Sequence, residues 1–71
     1  MTGQQCRMAR AALNMGVREL AKLAKVATGT ITRLEAGEEL KPRTVEAVQH
    51  ALERKGIEFI NEEGVRVRKK G

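Results

Sequence analysis

The chain has 71 residues, with 14 Lys and Arg against 9 Asp and Glu, for a formal net charge of +5. A chain this short buries only about 60% of the surface its unfolded form exposes, which leaves one small core and little room for a deep ligand pocket, so an enzyme is not expected. No apolar run approaches the ~20 residues that span a bilayer, the opening Met1, Thr2, Gly3, Gln4 and Gln5 lack a signal-peptide pattern, and the single Cys6 cannot form an internal disulfide, so a soluble cytoplasmic domain is expected.

The periodicity predicts a first helix over residues 4–13, with Cys6, Ala9 and Leu13 on one face. Thr2 is its expected N-cap, and Gln5 three residues on suits a capping box. Asn14, Met15 and Gly16 break the helix. A second helix is predicted over residues 17–24, buried through Leu20, Ala21 and Ala24. Lys25, Val26 and Ala27 form a short connection. A third helix is predicted over residues 28–36, with Ile31, Leu34 and Glu35 facing inward, and Gly37 sits where a left-handed cap is wanted. Pro42 opens a fourth helix, since its missing N–H costs nothing in the first turn. Val45, Val48 and Leu52 form that helix's apolar stripe, widened by Ala47 and Ala51, and Gly56 ends it after Arg54 and Lys55.

The period then changes to two. Residues 57–60 and 65–68 alternate, and Asn61, Glu62, Glu63 and Gly64 between them have turn composition. The expected fold is therefore mainly α: four helices followed by a short C-terminal β-strand or hairpin. Residues 1–56 form the main domain and residues 57–71 a terminal β element. A lone hairpin is marginal in water. Ile57, Phe59, Ile60, Val65 and Val67 must be covered, either by a second copy in a twofold-related sheet or by the chain's own helices. The first arrangement makes a homodimer. Residues 69–71 are expected to fray.

Positive charge is spread along the chain. Arg18, Lys22, Lys25, Arg33, Lys41 and Arg43 lie in the middle, and Arg66, Arg68, Lys69 and Lys70 in the tail. Such an excess is compatible with nucleic acid or another anionic surface. Cys6 reads as a small core hydrophobe. His50 has no second ligand at metal spacing, and no nucleophile–base pair or Gly-rich phosphate loop is present in the sequence, so no metal or cofactor is expected.

The informative segment is residues 17–37, VRELAKLAKVATGTITRLEAG. Two helices of about two turns are separated by a three-residue connection. Ala21 supplies the small contact that two steeply crossing helices need, Val26 plugs the turn, and Ile31 locks the second helix onto the first. This is the packing of a helix-turn-helix. The segment resembles the phage repressor and Cro-like (XRE-type) helix-turn-helix family, whose usual pattern is Gln-x-x-Leu-Ala-x-x-x-Gly-Val-Ser-x-x-x-Ile-x-x-x-Glu-x-Gly. Leu20, Ala21, Val26, Ile31, Glu35 and Gly37 match it, and the resemblance covers about residues 4–55. Three positions depart from the pattern. Val17 stands at the Gln, Lys25 at the turn Gly, and Ala27 at the capping Ser, so the cap is lost unless Thr28 takes it over.

The resemblance implies sequence-specific binding of double-stranded DNA as a transcriptional regulator, with the third helix in the major groove and a homodimer on paired half-sites. It places Thr28, Gly29, Thr32 and Arg33 at reading positions, with Thr30 exposed nearby. Arg33 suits guanine, because its planar fork can bond O6 and N7 together. Arg18, Lys25, Lys41 and Arg43 are assigned to phosphates. It also implies a partly buried ion pair between Arg10 and Glu35. The alternative is a protein-binding module, an antiactivator or antitoxin with a regulatory protein partner, in which case an apolar patch should replace the positive surface around Arg33.

Overall fold

A computed structural model describes residues 1–61 and 63–68. Its elements are α1 (Gly3–Leu13), α2 (Val17–Ala24), α3 (Thr28–Glu35), α4 (Pro42–Arg54), β1 (Ile57–Ile60) and β2 (Gly64–Val67). The protein is thus four helices followed by an antiparallel hairpin, as the patterning predicts. The expected contributions of Glu62, Lys69 and Lys70, and the fraying of residues 69–71, lie outside the described residues.

Local chemistry sets the helix ends. The Thr2 hydroxyl accepts the Gln5 N–H at 3.1 Å, and the Gln5 side-chain oxygen accepts the Thr2 N–H at 2.9 Å. This is a reciprocal capping box, and it starts α1 one residue earlier than the periodicity indicates. At the other end of each helix the chain turns through a left-handed residue. Asn14 ends α1 at φ +54°, Lys25 ends α2 at φ +61°, and Gly37 follows α3 at φ +91°. Around Gly37 the N–H groups of Gly37 and Glu38 donate to the Leu34 and Arg33 carbonyls at 3.1 and 3.0 Å. That Schellman closure satisfies carbonyls the helix leaves open, and it ends α3 at Glu35, one residue short of the predicted Ala36.

The core gathers one stripe from each helix. Cys6 and Ala9 of α1, Leu20 and Ala21 of α2, Ile31 and Leu34 of α3, and Val48 and Leu52 of α4 are buried together. Ile57 of β1 is buried with them, so the hairpin completes the core. In the hairpin Ile57 faces Val67, Glu58 faces Arg66, Phe59 faces Val65 and Ile60 faces Gly64. The second strand is therefore one residue earlier than the alternation predicts, because Gly64 pairs with Ile60 and joins the ladder. Pairing is within the chain, β2 packs on α1, and β1 packs on α4. Phe59 and Val65 also lie against the core. Of the five apolar side chains expected to need covering, Ile57, Phe59 and Val65 are covered by the chain's own helices. Only Ile60 and Val67 stay open, at 43% and 41% exposure. On the outer face, Arg66 Nε donates to Glu58 Oε1 at 2.9 Å, a cross-strand pair in solvent that adds little stability.

Gln5 holds the hairpin to α1. It is fully buried, and its side-chain nitrogen donates to the carbonyls of Asn61 at 3.2 Å and Gly64 at 2.9 Å. The same side chain thus caps α1 through its oxygen and fixes the β-turn through its nitrogen. Both donor hydrogens are used, so this buried amide carries no desolvation penalty for an unmade bond.

Candidate nucleic-acid interface

The α2–α3 pair is built as the motif requires. The Glu19 carboxylate accepts the Gly16 N–H at 3.0 Å and fixes the start of α2. Lys25 adopts the left-handed conformation that the family's Gly would take without strain, and the Val26 N–H closes the turn on the Ala21 carbonyl at 2.9 Å. Val26 packs against the core under that turn. Ala21 is 3% exposed and Ile31 is fully buried, which locks α3 against α2. The N-cap of α3 is Ala27, with no side-chain bond to the first turn, and Thr28 is already helical. Thr28 therefore does not take over the missing cap.

An ion pair anchors the far end of α3. Arg10 Nε and its terminal nitrogen reach the two Glu35 carboxylate oxygens at 2.6 and 2.7 Å, a two-pronged contact between α1 and α3. Arg10 also donates to the Met15 carbonyl at 3.1 Å. Arg7 donates to the Glu35 carbonyl at 3.0 Å, and the Cys6 thiol donates to Glu35 at 3.3 Å. Burial raises the Glu35 pKa, but the hydrogen bonds from Arg10 and Cys6 and the charges of Arg10 and Arg7 outweigh it and hold the carboxyl below the usual range. Burial, followed by the bond to Glu35, pushes the Cys6 thiol up to about 12, so it stays protonated and unreactive. Cys6 is thus more than the core hydrophobe its position predicts. Its bond to Glu35 carried no sequence signal, because the partners are 29 residues apart.

The four predicted reading residues share an open face. Thr28, Gly29, Thr32 and Arg33 of α3 are exposed. Thr30 is half-buried, against expectation, since it lies one turn before buried Leu34 at the edge of the same stripe. The Thr32 hydroxyl donates back to the Thr28 carbonyl at 3.2 Å, and Arg33 Nε donates to the Gly29 carbonyl at 3.4 Å. The Arg33 terminal nitrogens have no hydrogen-bond partner among the described residues. Arg18 and Lys22 of α2 and Thr28 line one shallow groove of about 410 Å³, which joins the start of α2 to the start of α3.

Of the four predicted phosphate residues, Arg18 is exposed in the first turn of α2 and the other three divide between the ends of α4. Lys41 is the N-cap of α4 and Arg43 lies in its first turn, both exposed. Lys25 instead lines a groove with Arg54 and Lys55 at the opposite end of that helix. A helix of 13 residues spans ~20 Å at about 1.5 Å per residue, so Lys25 does not share a patch with Lys41 and Arg43. No protein-family model matches the chain, and no curated protein matches it. No helix among the described residues is long and apolar enough to cross a membrane.

Proposed function

We propose that the chain is a sequence-specific DNA-binding regulator of the phage repressor and Cro-like kind, with α3 as its major-groove helix. The carrying observation is the α3 face itself. Thr28, Gly29, Thr32 and Arg33 stand open on it, and the only large apolar side chains exposed among the described residues, Ile60 and Val67, lie on the hairpin. A face meant for protein docking needs apolar anchors. For this reason the antiactivator or antitoxin reading through α3 is the weaker one.

Electrostatics supports the same reading. The start of α4 carries Lys41 and Arg43 and no acidic residue in its first turn. Cations are disfavoured at the positive end of a helix. Their placement there makes sense for holding an anion such as a phosphate, which helix N-termini also attract. The uncapped first turn of α3, beside Arg18, offers backbone N–H groups of the same kind. Arg33 is assigned to a base edge, and Arg18, Lys41 and Arg43 to the DNA backbone.

The test is a mobility shift with selected and random DNA at two salt concentrations. Affinity for both should fall steeply with salt. Arg33→Ala should cost about 1–3 kcal/mol on the selected site and little on random DNA, whereas Lys41→Ala should weaken both alike and flatten the salt slope by about one. Binding that ignores both substitutions would place the interface elsewhere.

Pairing on half-sites about one helical turn apart requires a second copy. The exposed Ile60 and Val67 on the hairpin offer the surface for it. Light scattering at high micromolar concentration should show a dimer, and a monodisperse monomer would remove this part of the reading.

A further inference from the structure

A second charged groove lies where the C-terminal ends of α2 and α4 meet. Lys22 and Lys25 reach it from α2 and its cap, and Arg54 and Lys55 from α4 and its cap. Its remaining lining is Met15, Leu23 and Glu19, and its volume is about 570 Å³. None of the four cations is in an ion pair among the described residues, where the pairs are Arg10–Glu35 and Arg66–Glu58. Glu19 already accepts the Gly16 N–H at the start of α2. Two helix C-termini contribute about half a negative charge each. Together with Glu19 they leave the groove well short of neutral.

The floor is apolar. Met15 and Leu23 are half-buried and packed on the core, with one side still open. A groove for bare phosphate needs no such floor. Lys25 reaches the rim from its position as the C-cap of α2. Lys22 also borders the groove of Arg18 and Thr28, but Lys25, Arg54 and Lys55 stand apart from the DNA face, whose α4 cations lie at the other end of the helix.

We propose that this groove docks an acidic segment of another protein, which seats an apolar side chain on Met15 and Leu23 and sets carboxylates against Lys22, Lys25, Arg54 and Lys55. The complementarity is of both kinds at once. Charge brings the segment in and excludes basic partners, and the apolar contact supplies affinity that salt does not screen. The proposal stands independently of the DNA reading.

The test uses the full chain and methyl-detected NMR. The probe is a synthetic peptide with Leu on one helical face and Glu elsewhere. Two controls replace its Leu by Ser or its Glu by Lys. The Met15 and Leu23 methyl signals should shift with the Leu/Glu peptide and with neither control. Arg54→Glu with Lys55→Glu should raise the apparent Kd by at least about tenfold, while Arg54→Lys with Lys55→Arg should leave it near the original. Circular dichroism checks that each variant is folded, and mapping on the unmodified chain locates the site even if the reversal variant unfolds. The proposal is overturned by shifts confined to the hairpin or α3, or by equal binding of the peptide without Leu. It is equally overturned if self-association is what the charge reversal abolishes, since the occupant is then a second copy. Double-stranded DNA that moves the Met15 and Leu23 signals, and is weakened by the reversal, would give the groove to DNA instead. A failed mobility shift alongside a successful peptide titration would sink the DNA reading alone.

Discussion

Gly3→Ala is expected to lower stability by about 2–3 kcal/mol and the melting temperature by roughly 10 °C or more. Propensity predicts the opposite sign, because Ala is the better helix former. A Cβ on Gly3, however, would lie 2.0 Å from the Leu34 carbonyl oxygen and 3.0 Å from the Glu35 Cα. Both obstacles are backbone, so no side chain can swing aside. Either α1 moves off the end of α3 or its first turn unwinds. The first route disturbs the Arg10–Glu35 contact, and the second gives up the capping box and the Gln5 bonds to the hairpin. Gly29 provides the internal comparison. A Cβ there meets nothing within 4 Å, so Gly29→Ala should be neutral or raise stability by up to about 1 kcal/mol. Thermal melts of the two variants read the contrast directly. An unchanged or higher melting temperature for Gly3→Ala would show that α1 and α3 do not approach as described.

The second large effect is expected from Arg10→Ala. Removing one partner of a buried pair costs about 3–5 kcal/mol, because the other charge stays behind. The low end of that range applies here, since the Arg10 and Glu35 side chains keep 19% and 8% exposure. A chain of this size holds about 4–10 kcal/mol in total, so the loss is a large share of it. Acid gives a second readout. The folded Glu35 carboxyl lies below its ordinary value, so its contribution is fully present above that value and is lost as pH falls through the folded one. The variant has no such contribution to lose. Urea melts from about pH 7 to about pH 3 should therefore show the two stabilities converging as pH falls. A gap that stays constant over that range would mean that packing of the Arg10 stem, rather than its charge, holds α1 to α3.

Much of this was legible in the sequence, for reasons of range. The capping box at Thr2 and Gln5, the left-handed cap at Gly37, the Pro42 start of α4 and the α2–α3 pair are local events. They are decided by side chains within a few residues of one another, and periodicity reports them well. The buried stripe of α3 at Ile31 and Leu34 was legible for the same reason, whereas Thr28, Gly29, Thr32 and Arg33 were picked out by the family resemblance. Thr30 was misplaced because its position at the rim of the stripe depends on what α3 packs against. The Arg10–Glu35 contact came from family resemblance, not from spacing.

The sequence by itself determined the four helices, the hairpin and the buried stripe of α3, because short-range hydrogen bonding and hydrophobic period are written directly in the order of residues. Tertiary structure alone decided the rest. It put the hairpin on the chain's own helices through Gln5. It made Gly3 obligatory by laying its backbone against that of Leu34. It also sent Lys25 to a groove with Arg54 and Lys55, away from Lys41 and Arg43. Each of these joins residues far apart in the chain, and such contacts depend on how the helices cross rather than on any spacing along it.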